Sequence, residues 1–401
     1  MTVFIFDSFA RRRITFYTKP KSHKVSQRYM ETRIVAAWLM TELSGLPAFM
    51  YLRIVKLILS VLAFLVAPLI VQGQVYQWFK GNTHTHTTVS DGNAAPEFVV
   101  KWYHDRGYHF LVVTDHNKFV DPDSIPLPMP ARKDFILIPG EEVTGKRAIH
   151  TTGLNVHRHV HPGDEYSSKA EVIQSHVDSI RAASGIPILN HPNFQSGAQV
   201  SDIYPVERLN ILELFNGHPY VYNYGKESEH ISVEAKWDSL LTRGRLIYGI
   251  SSDDAHHYDT YAEDRSNPGR GWIMVRSIEL TRRAIVSAIE SGEFYSTNGV
   301  ILSGVDLVSG TYSVSVDEKA TKQSLSSPYV IGRKVDRGTE GFLIEFIGPG
   351  GMVMQKSIGV SARYKIASNE SYIRCRITYR FRNTRGTLVE HYAWTQPVFS
   401  P

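Results

Sequence analysis

From residue 76 onward, short apolar runs alternate with stretches whose apolar residues recur every three or four positions. The runs at 76–80, 110–113, 135–138, Ile186–Leu189, 209–215 and 246–250 read as buried strands. Between them, Pro96–His104, 169–183 and 234–241 read as amphipathic helices, with Gly107 and Gly185 as breaks. Thr281 caps a further helix whose Ala284, Ile285, Ala288 and Ile289 form one apolar stripe, ended by Gly292. Such alternation predicts an α/β fold on a parallel sheet, closed into a distorted barrel. Near residue 300 the period changes to two, as at 312–316, 342–347 and 373–381, with glycine-rich turns such as Gly348-Pro349-Gly350-Gly351. Residues 301–401 therefore read as a small antiparallel β-sandwich domain behind a barrel at 74–300.

The leader reads differently. Residues 57–71 carry no charge, Arg53 and Lys56 precede them, and Val71-Gln72-Gly73 offers a processing site. That is the pattern of a signal peptide over 50–73, with Met50 as its start and residues 1–49 as an upstream extension. The chain is then exported, to the periplasm or beyond; the competing reading keeps 54–71 as an uncleaved membrane anchor. Membrane contact is expected only in that second case. The formal charge of +5 belongs to this segment, because residues 1–56 hold ten Lys/Arg against Asp7, Glu31 and Glu42. The rest is slightly acidic, so nucleic acid is not an expected partner. A single cysteine, Cys375, excludes an internal disulfide, and its place between Ile373 and Ile377 on one strand face predicts a buried thiol.

Candidate chemistry gathers where the predicted strands end. His84-Thr85-His86 follows the first, with Asp91-Gly92 on the next turn; two imidazoles at i and i+2 point the same way and can grip one ion. Thr114-Asp115-His116, Gly140-Glu141-Glu142, Asn190-His191-Pro192 and Asp253-Asp254-Ala255-His256 follow in the same manner, and His150 opens a strand. Adjacent carboxylates such as Glu141 and Glu142 face opposite sides of a strand. Of the Asp253–Asp254 pair, Asp254 is the one spaced i, i+2 from His256. Candidate substrate-binding residues are Arg270 in Gly269-Arg270-Gly271, then Lys118, and His218 at a strand end. His157, His159 and His161 read as a solvated loop, and Glu213 as a supporting carboxylate.

This ordered set resembles the PHP (polymerase and histidinol phosphatase) family of metal-dependent phosphoesterases over residues 76–300. The resemblance implies a distorted seven-stranded (β/α) barrel holding two to three divalent ions, and its Gly-x-Glu motif selects Glu142 over Glu141. Carried over, one ion takes His84, His86, Glu142 and Asp254; a second shares Glu142 and adds His150 and His191; a third takes Asp91, His116 and His256. Asp115 is not a ligand in this scheme. The β-rich tail resembles a secreted branch that includes carbamate- and ester-cleaving metallohydrolases. Mixed imidazole and carboxylate ligands suit zinc, manganese or iron. The expected activity is hydrolysis of a small-molecule phosphoester by a metal-bridging hydroxide, with Glu142, His191 and Asp254 catalytic and Asp254 accepting the water proton. Two alternatives stand beside it: cleavage of carbamates, amides or carboxylic esters at the same site, or a vestigial barrel serving an envelope- or glycan-binding module.

Overall fold

The computed structural model describes residues 75–126, 134–145, 147–163, 168–195, 197–226 and 229–399, with Met50 and Lys56. The signal-peptide and anchor readings thus lie outside the described residues apart from those two. No helix among the described residues is long and apolar enough to cross a membrane.

In chain order the strands begin with β1 (Gln77–Asn82), β2 (Phe110–Val112), β3 (Ile136–Ile138), β4 (Gly140–Thr144) and β5 (His150–Leu154). Next come β6 (Ile186–Leu189), β7 (Ile211–Asn216), β8 (Tyr248–Ser252), β9 (Trp272–Ser277) and β10 (Phe294–Thr297). The C-terminal part adds β11 (Leu302–Val308), β12 (Thr311–Val316), β13 (Arg333–Lys334), β14 (Gly341–Gly348) and β15 (Met352–Ile358). It ends with β16 (Ser361–Lys365), β17 (Tyr372–Arg382), β18 (Leu388–Thr395) and β19 (Val398–Phe399). The helices are α1 (Pro96–His104), α2 (Lys169–Ala182), α3 (Val200–Ile203), α4 (Val233–Thr242), α5 (Arg282–Glu290) and α6 (Glu318–Leu325).

The expected mixed α/β character is present, with several sheets and few helices. The strands around the candidate ligands are divided between two sheets. One runs β4-β5-β6-β7-β8; the other runs β15-β14-β17-β18-β10-β9-β1-β2-β3. Pairing is parallel for β1/β2, β2/β3, β6/β7 and β7/β8. It is antiparallel for β4/β5, β5/β6, β1/β9 and β9/β10, where a uniformly parallel sheet was expected. Between β4 and β5 the reason is local: the connection at 145–149 is far shorter than the dozen or so residues that a parallel crossover needs.

The two sheets share one interior. Phe79, Phe110, Val112 and Ile138 from the first meet Leu154, Ile186, Ile188, Ile211 and Ile250 from the second, and Ile285 and Ile289 of α5 close it. Gly81 is required there, because a Cβ at this position would lie 2.1 Å from the Phe110 ring. Helix α1 has proline in its first turn and α2 a complete Ser168–Glu171 capping box, and both bury one face. Strands β11, β12 and β16 form a separate antiparallel sheet. Its Tyr312, Val314 and Ala362 pack with Ile344, Phe346, Cys375 and Ile377 of the long sheet. Cys375 is buried, as expected, and burial pushes its thiol pKa up.

Candidate metal centre

The two sheets meet at single-residue bridges, and these bridges carry the candidate ligands. Thr85 pairs with Ala255 and His116 with Glu142, both in parallel sense. Backbone hydrogen bonds from His86 to Ala255, from Asp254 to His84 and from Asn117 to Glu142 stitch the same seam at 2.9, 3.0 and 2.9 Å. A seam of this kind places loop residues from both sheets on one spot while each is fixed by a ladder below.

All nine predicted ligands converge there. Glu142 is at the middle: its Oε1 lies 3.3 Å from His84 Nε2, 3.2 Å from His150 Nδ1 and 3.3 Å from His191 Nε2. Its Oε2 lies 3.4 Å from His86 Nε2 and 2.8 Å from His116 Nδ1. Asp254 Oδ1 sits 3.2 and 3.1 Å from His84 Nε2 and His86 Nε2. Asp91 Oδ2 sits 3.5 and 3.4 Å from His116 Nε2 and His256 Nε2. Four sets have donor atoms within 4.8 Å of one another: His84/His86/Asp254, His84/Glu142/His191, His116/Glu142/His150 and His86/Asp91/His116/His256. The grouping differs from the expected one in detail. His191 groups with His84 rather than with His150, and His86 joins the Asp91 set.

A surrounding layer aims these groups. His84 Nδ1 donates to Glu213 Oε1 at 2.7 Å, which leaves its Nε2 lone pair facing the cluster. Glu213 Oε2 accepts from the His191 backbone N–H at 2.7 Å and from Asn216 Nδ2 at 2.9 Å, so one carboxylate positions two candidate ligands. Asn190 Nδ2 donates to Glu142 Oε1 at 2.7 Å, and Asn216 Nδ2 to Asp254 Oδ2 at 3.1 Å. His256 Nδ1 is fixed by the Asp254 carbonyl at 2.9 Å. His191 and Asp254 hold φ of 27° and 50°, a left-handed backbone that costs about 1 kcal/mol or more for non-glycine residues. The strain is sustained by these contacts.

The ambiguous carboxylates separate as their alternation requires. Glu141 faces away, accepting from His159 Nδ1 at 2.7 Å and the Val160 N–H at 3.2 Å. Asp253 is enclosed by the N–H groups of Gly269, Arg270 and Gly271 at 2.9, 2.6 and 2.8 Å and by Tyr103 OH at 2.8 Å. Asp115 accepts from the Thr87 and Ser90 backbones at 2.8 and 3.1 Å, holding the loop between His86 and Asp91.

Electrostatics show that the cluster demands positive charge. Burial alone would raise the pKa of Glu142, but His84, His116 and His150 outweigh it and hold the carboxyl well below the usual range. Burial would likewise raise Asp254, which His84, His86 and His256 hold low. Burial lowers His116, yet Glu142 and Asp91 bring it up to about 9. His86 is pushed down to about 4 by burial and by His256, although its Nε2 lies only 3.1 Å from His84 Nε2 and His84 is raised. Imidazoles this close cannot all be protonated. Glu142 Oε2 is buried and makes no hydrogen bond of good geometry, and the same holds for His150 Nδ1 and His191 Nδ1. Divalent cations would supply the charge while the rings stay neutral, and would give Glu142 Oε2 and His150 Nδ1 a partner. The donor set fits them.

The predicted substrate-binding residues fare differently. His218 lines the site, its ring 5.7 Å from that of His256. Lys118 is exposed and its charge is felt by Glu141, on the far side of β4. Arg270 is turned inward: its guanidinium donates to Gly217 O at 3.2 Å, Ala262 O and Asn267 Oδ1 at 3.1 Å. The carboxylates that it senses are Asp253, Glu263 and Asp264, none of them in the cluster. The sequence reading did not select Asn190, Asn216 or Phe194 as site residues. Asn190 stood inside Asn190-His191-Pro192 and Asn216 lies two residues before His218; that proximity was the available signal.

No protein-family model and no curated protein matches the chain. Among solved structures, it is similar at low identity to PHP-like metal-dependent phosphoesterases. A two-domain protein of Bacteroides vulgatus containing a predicted PHP-like metal-dependent phosphoesterase is 14% identical, with a TM-score of 0.40 over 80% of this chain and 87% of that one. A protein of Bifidobacterium adolescentis described as a metal-dependent phosphoesterase is 13% identical, TM-score 0.30, over 47% of this chain and 89% of its own. An amidohydrolase of Chromobacterium violaceum is 15% identical, TM-score 0.31, over 46% of this chain and 93% of its own.

Proposed function

We propose that the chain is a metal-dependent phosphoesterase acting on small molecules. The observation that carries this reading is Glu142, one buried carboxylate with five imidazole nitrogens within 3.4 Å of its two oxygens. A carboxylate so placed is suited to bridge two cations. His84, His86 and Asp254 would hold one, His150 would face the other, and His191 stands on the His84 side of Glu142. Asp91, His116 and His256 would hold a third nearer the mouth. Bound divalent ions would polarise the scissile bond and make water a nucleophile at neutral pH.

The protein's own groups do the rest. Asp254 has one oxygen turned into the cluster and the other held by Asn216, so Oδ1 would take a proton from water and return it to the leaving oxygen. Glu213 and Asn190 keep His84, His191 and Glu142 in register, so little reorganisation accompanies the reaction. His218 stands at the rim to contact substrate.

Elemental analysis of the purified full chain, together with turnover of p-nitrophenyl phosphate, bis-p-nitrophenyl phosphate and p-nitrophenyl acetate, tests the reading. Two to three ions per chain with phosphoester turnover is the expected outcome. Acetate cleavage alone would replace it with the carboxylic-ester reading, and a chain that binds no metal after reconstitution would sink both.

A further inference from the structure

One wall of the metal centre is aromatic, and it is built rather than incidental. The Phe194 ring lies 5.1 Å from that of His191, 6.0 Å from His150 and 6.4 Å from His218. His218 in turn lies 5.5 Å from Tyr220. Phe194 is tied to the opposite segment by an antiparallel bridge to Val221. Asn193 Nδ2 reinforces that tie by donating to the carbonyls of Tyr222 and Ile231 at 2.7 and 2.8 Å. The base of the second segment is clamped by reciprocal bonds between Asn216 and Asn223, at 3.0 and 2.8 Å.

Two features of this strip exceed what packing requires. Tyr220 is 59% exposed, so its ring contributes little to the core, yet it is held beside His218. His218 Nδ1 accepts the Tyr220 backbone N–H at 3.2 Å, which places the ring proton on Nε2 at the other edge of the imidazole. A hydrogen-bond donor thus sits on a ring that has Phe194 and Tyr220 as aromatic neighbours, with the His256 ring 5.7 Å away. Aromatic faces and a neighbouring donor together match a flat ring bearing a polar atom.

We propose that Phe194, His218 and Tyr220 form a subsite for a planar aromatic group carried on the substrate's scissile ester, with His218 Nε2–H donating to a polar atom of that group. This rests on the phosphoesterase reading and narrows its substrates to aryl-bearing esters.

Phenylphosphonate and methylphosphonate share a metal-binding head and differ in the ring. Titrated calorimetrically into the manganese-loaded full chain, phenylphosphonate should bind about tenfold more tightly, in keeping with one well-formed aromatic contact. Phe194→Ala and Tyr220→Ala should each shrink that ratio to about twofold. Phe194→Leu guards against a folding defect and should give an intermediate ratio, with thermal unfolding recorded for every variant. Equal affinity of the native chain for both phosphonates would overturn the aromatic subsite and leave the metal centre standing. Failure of the loaded chain to bind either one would overturn the subsite together with the reading beneath it.

Discussion

Glu213 shows how much of the site depends on residues outside the ligand set. It lies in none of the four candidate groups, yet it fixes the His84 tautomer and the His191 backbone. Glu213→Gln should therefore weaken metal binding about 10- to 100-fold, read by competition with a chelator, while leaving the fold in place. His191→Ala should abolish turnover with little change in unfolding temperature; activity surviving that change would refute the assigned site. A separate effect concerns pH. His391 is buried, and burial pushes its pKa down to about 4, while Nδ1 is held by the Asn298 carbonyl at 2.9 Å. The unfolded chain takes up a proton near the ordinary value of 6.5 and the folded chain does not until about 4. Stability should thus fall as pH drops through that window, by roughly 3 kcal/mol from this residue. In urea titrations between pH 4 and 7, His391→Asn should flatten the slope by up to one proton. The nine candidate ligands were legible in the sequence because their spacing and placement at strand ends are local properties, with the resemblance choosing Glu142 over Glu141. Arg270 shows the complementary limit. Gly269-Arg270-Gly271 looks like an open loop, but its backbone N–H groups wrap Asp253, a partner seventeen residues away from Arg270.

At the scale of elements, the helices and strands that were read lie within a residue or two of those found, whereas β9, β10, β18, α3 and α6 were not read. The α1 bounds were read as found, and the capping Thr281 sits just ahead of α5. Strand direction was not readable, because apolar periodicity reports burial and not pairing. Strands β9 and β10 illustrate it: helix α5 joins them, a connection that suits a parallel crossover, yet they pair antiparallel. Contacts between elements also include charges that no local pattern reveals. Arg374 of β17, 1% exposed, pairs with Asp238 at 2.6 Å and Glu234 at 2.8 Å, both on α4. Burial would lower the Arg374 pKa, but Glu234 and Asp238 raise it, so the guanidinium stays charged. Removing it leaves the buried Asp238 without its cation, while Glu234 keeps Arg376 at 3.1 Å. Arg374→Met should cost about 3–5 kcal/mol in urea unfolding at neutral pH, part of it recovered by Asp238→Asn in the same chain. A loss below about 1 kcal/mol would mean that water replaces the guanidinium and that α4 is not fastened to β17 through this pair.

For the whole molecule, the change of period near residue 300 suggests a division into two domains, and the backbone pairing crosses that boundary. Strand β10 binds β9 on one side and β18 on the other, through Tyr295↔Thr395, Ser296↔Trp394 and Thr297↔Ala393. Apolar packing crosses as well: Tyr372, Tyr392 and Trp394 share a cluster with Leu212, Phe215 and Trp237. Gln396 reaches back to the Gly249 N–H and carbonyl, both at 2.9 Å, on the strand that leads to Asp254. Cutting after residue 300 would unpair one edge of β10 and bare that cluster, leaving an open apolar edge of the kind that drives aggregation. The full chain should unfold residues 75–401 in one cooperative calorimetric transition, with metal ions raising its midpoint. A fragment ending at residue 300 should lose that transition and fail to retain metal, even though every candidate ligand precedes the cut. If instead the fragment bound two or three ions and turned over phosphoesters, the shared sheet would be a docking surface between independent domains, and the C-terminal strands would not be part of what holds Asp254 in place.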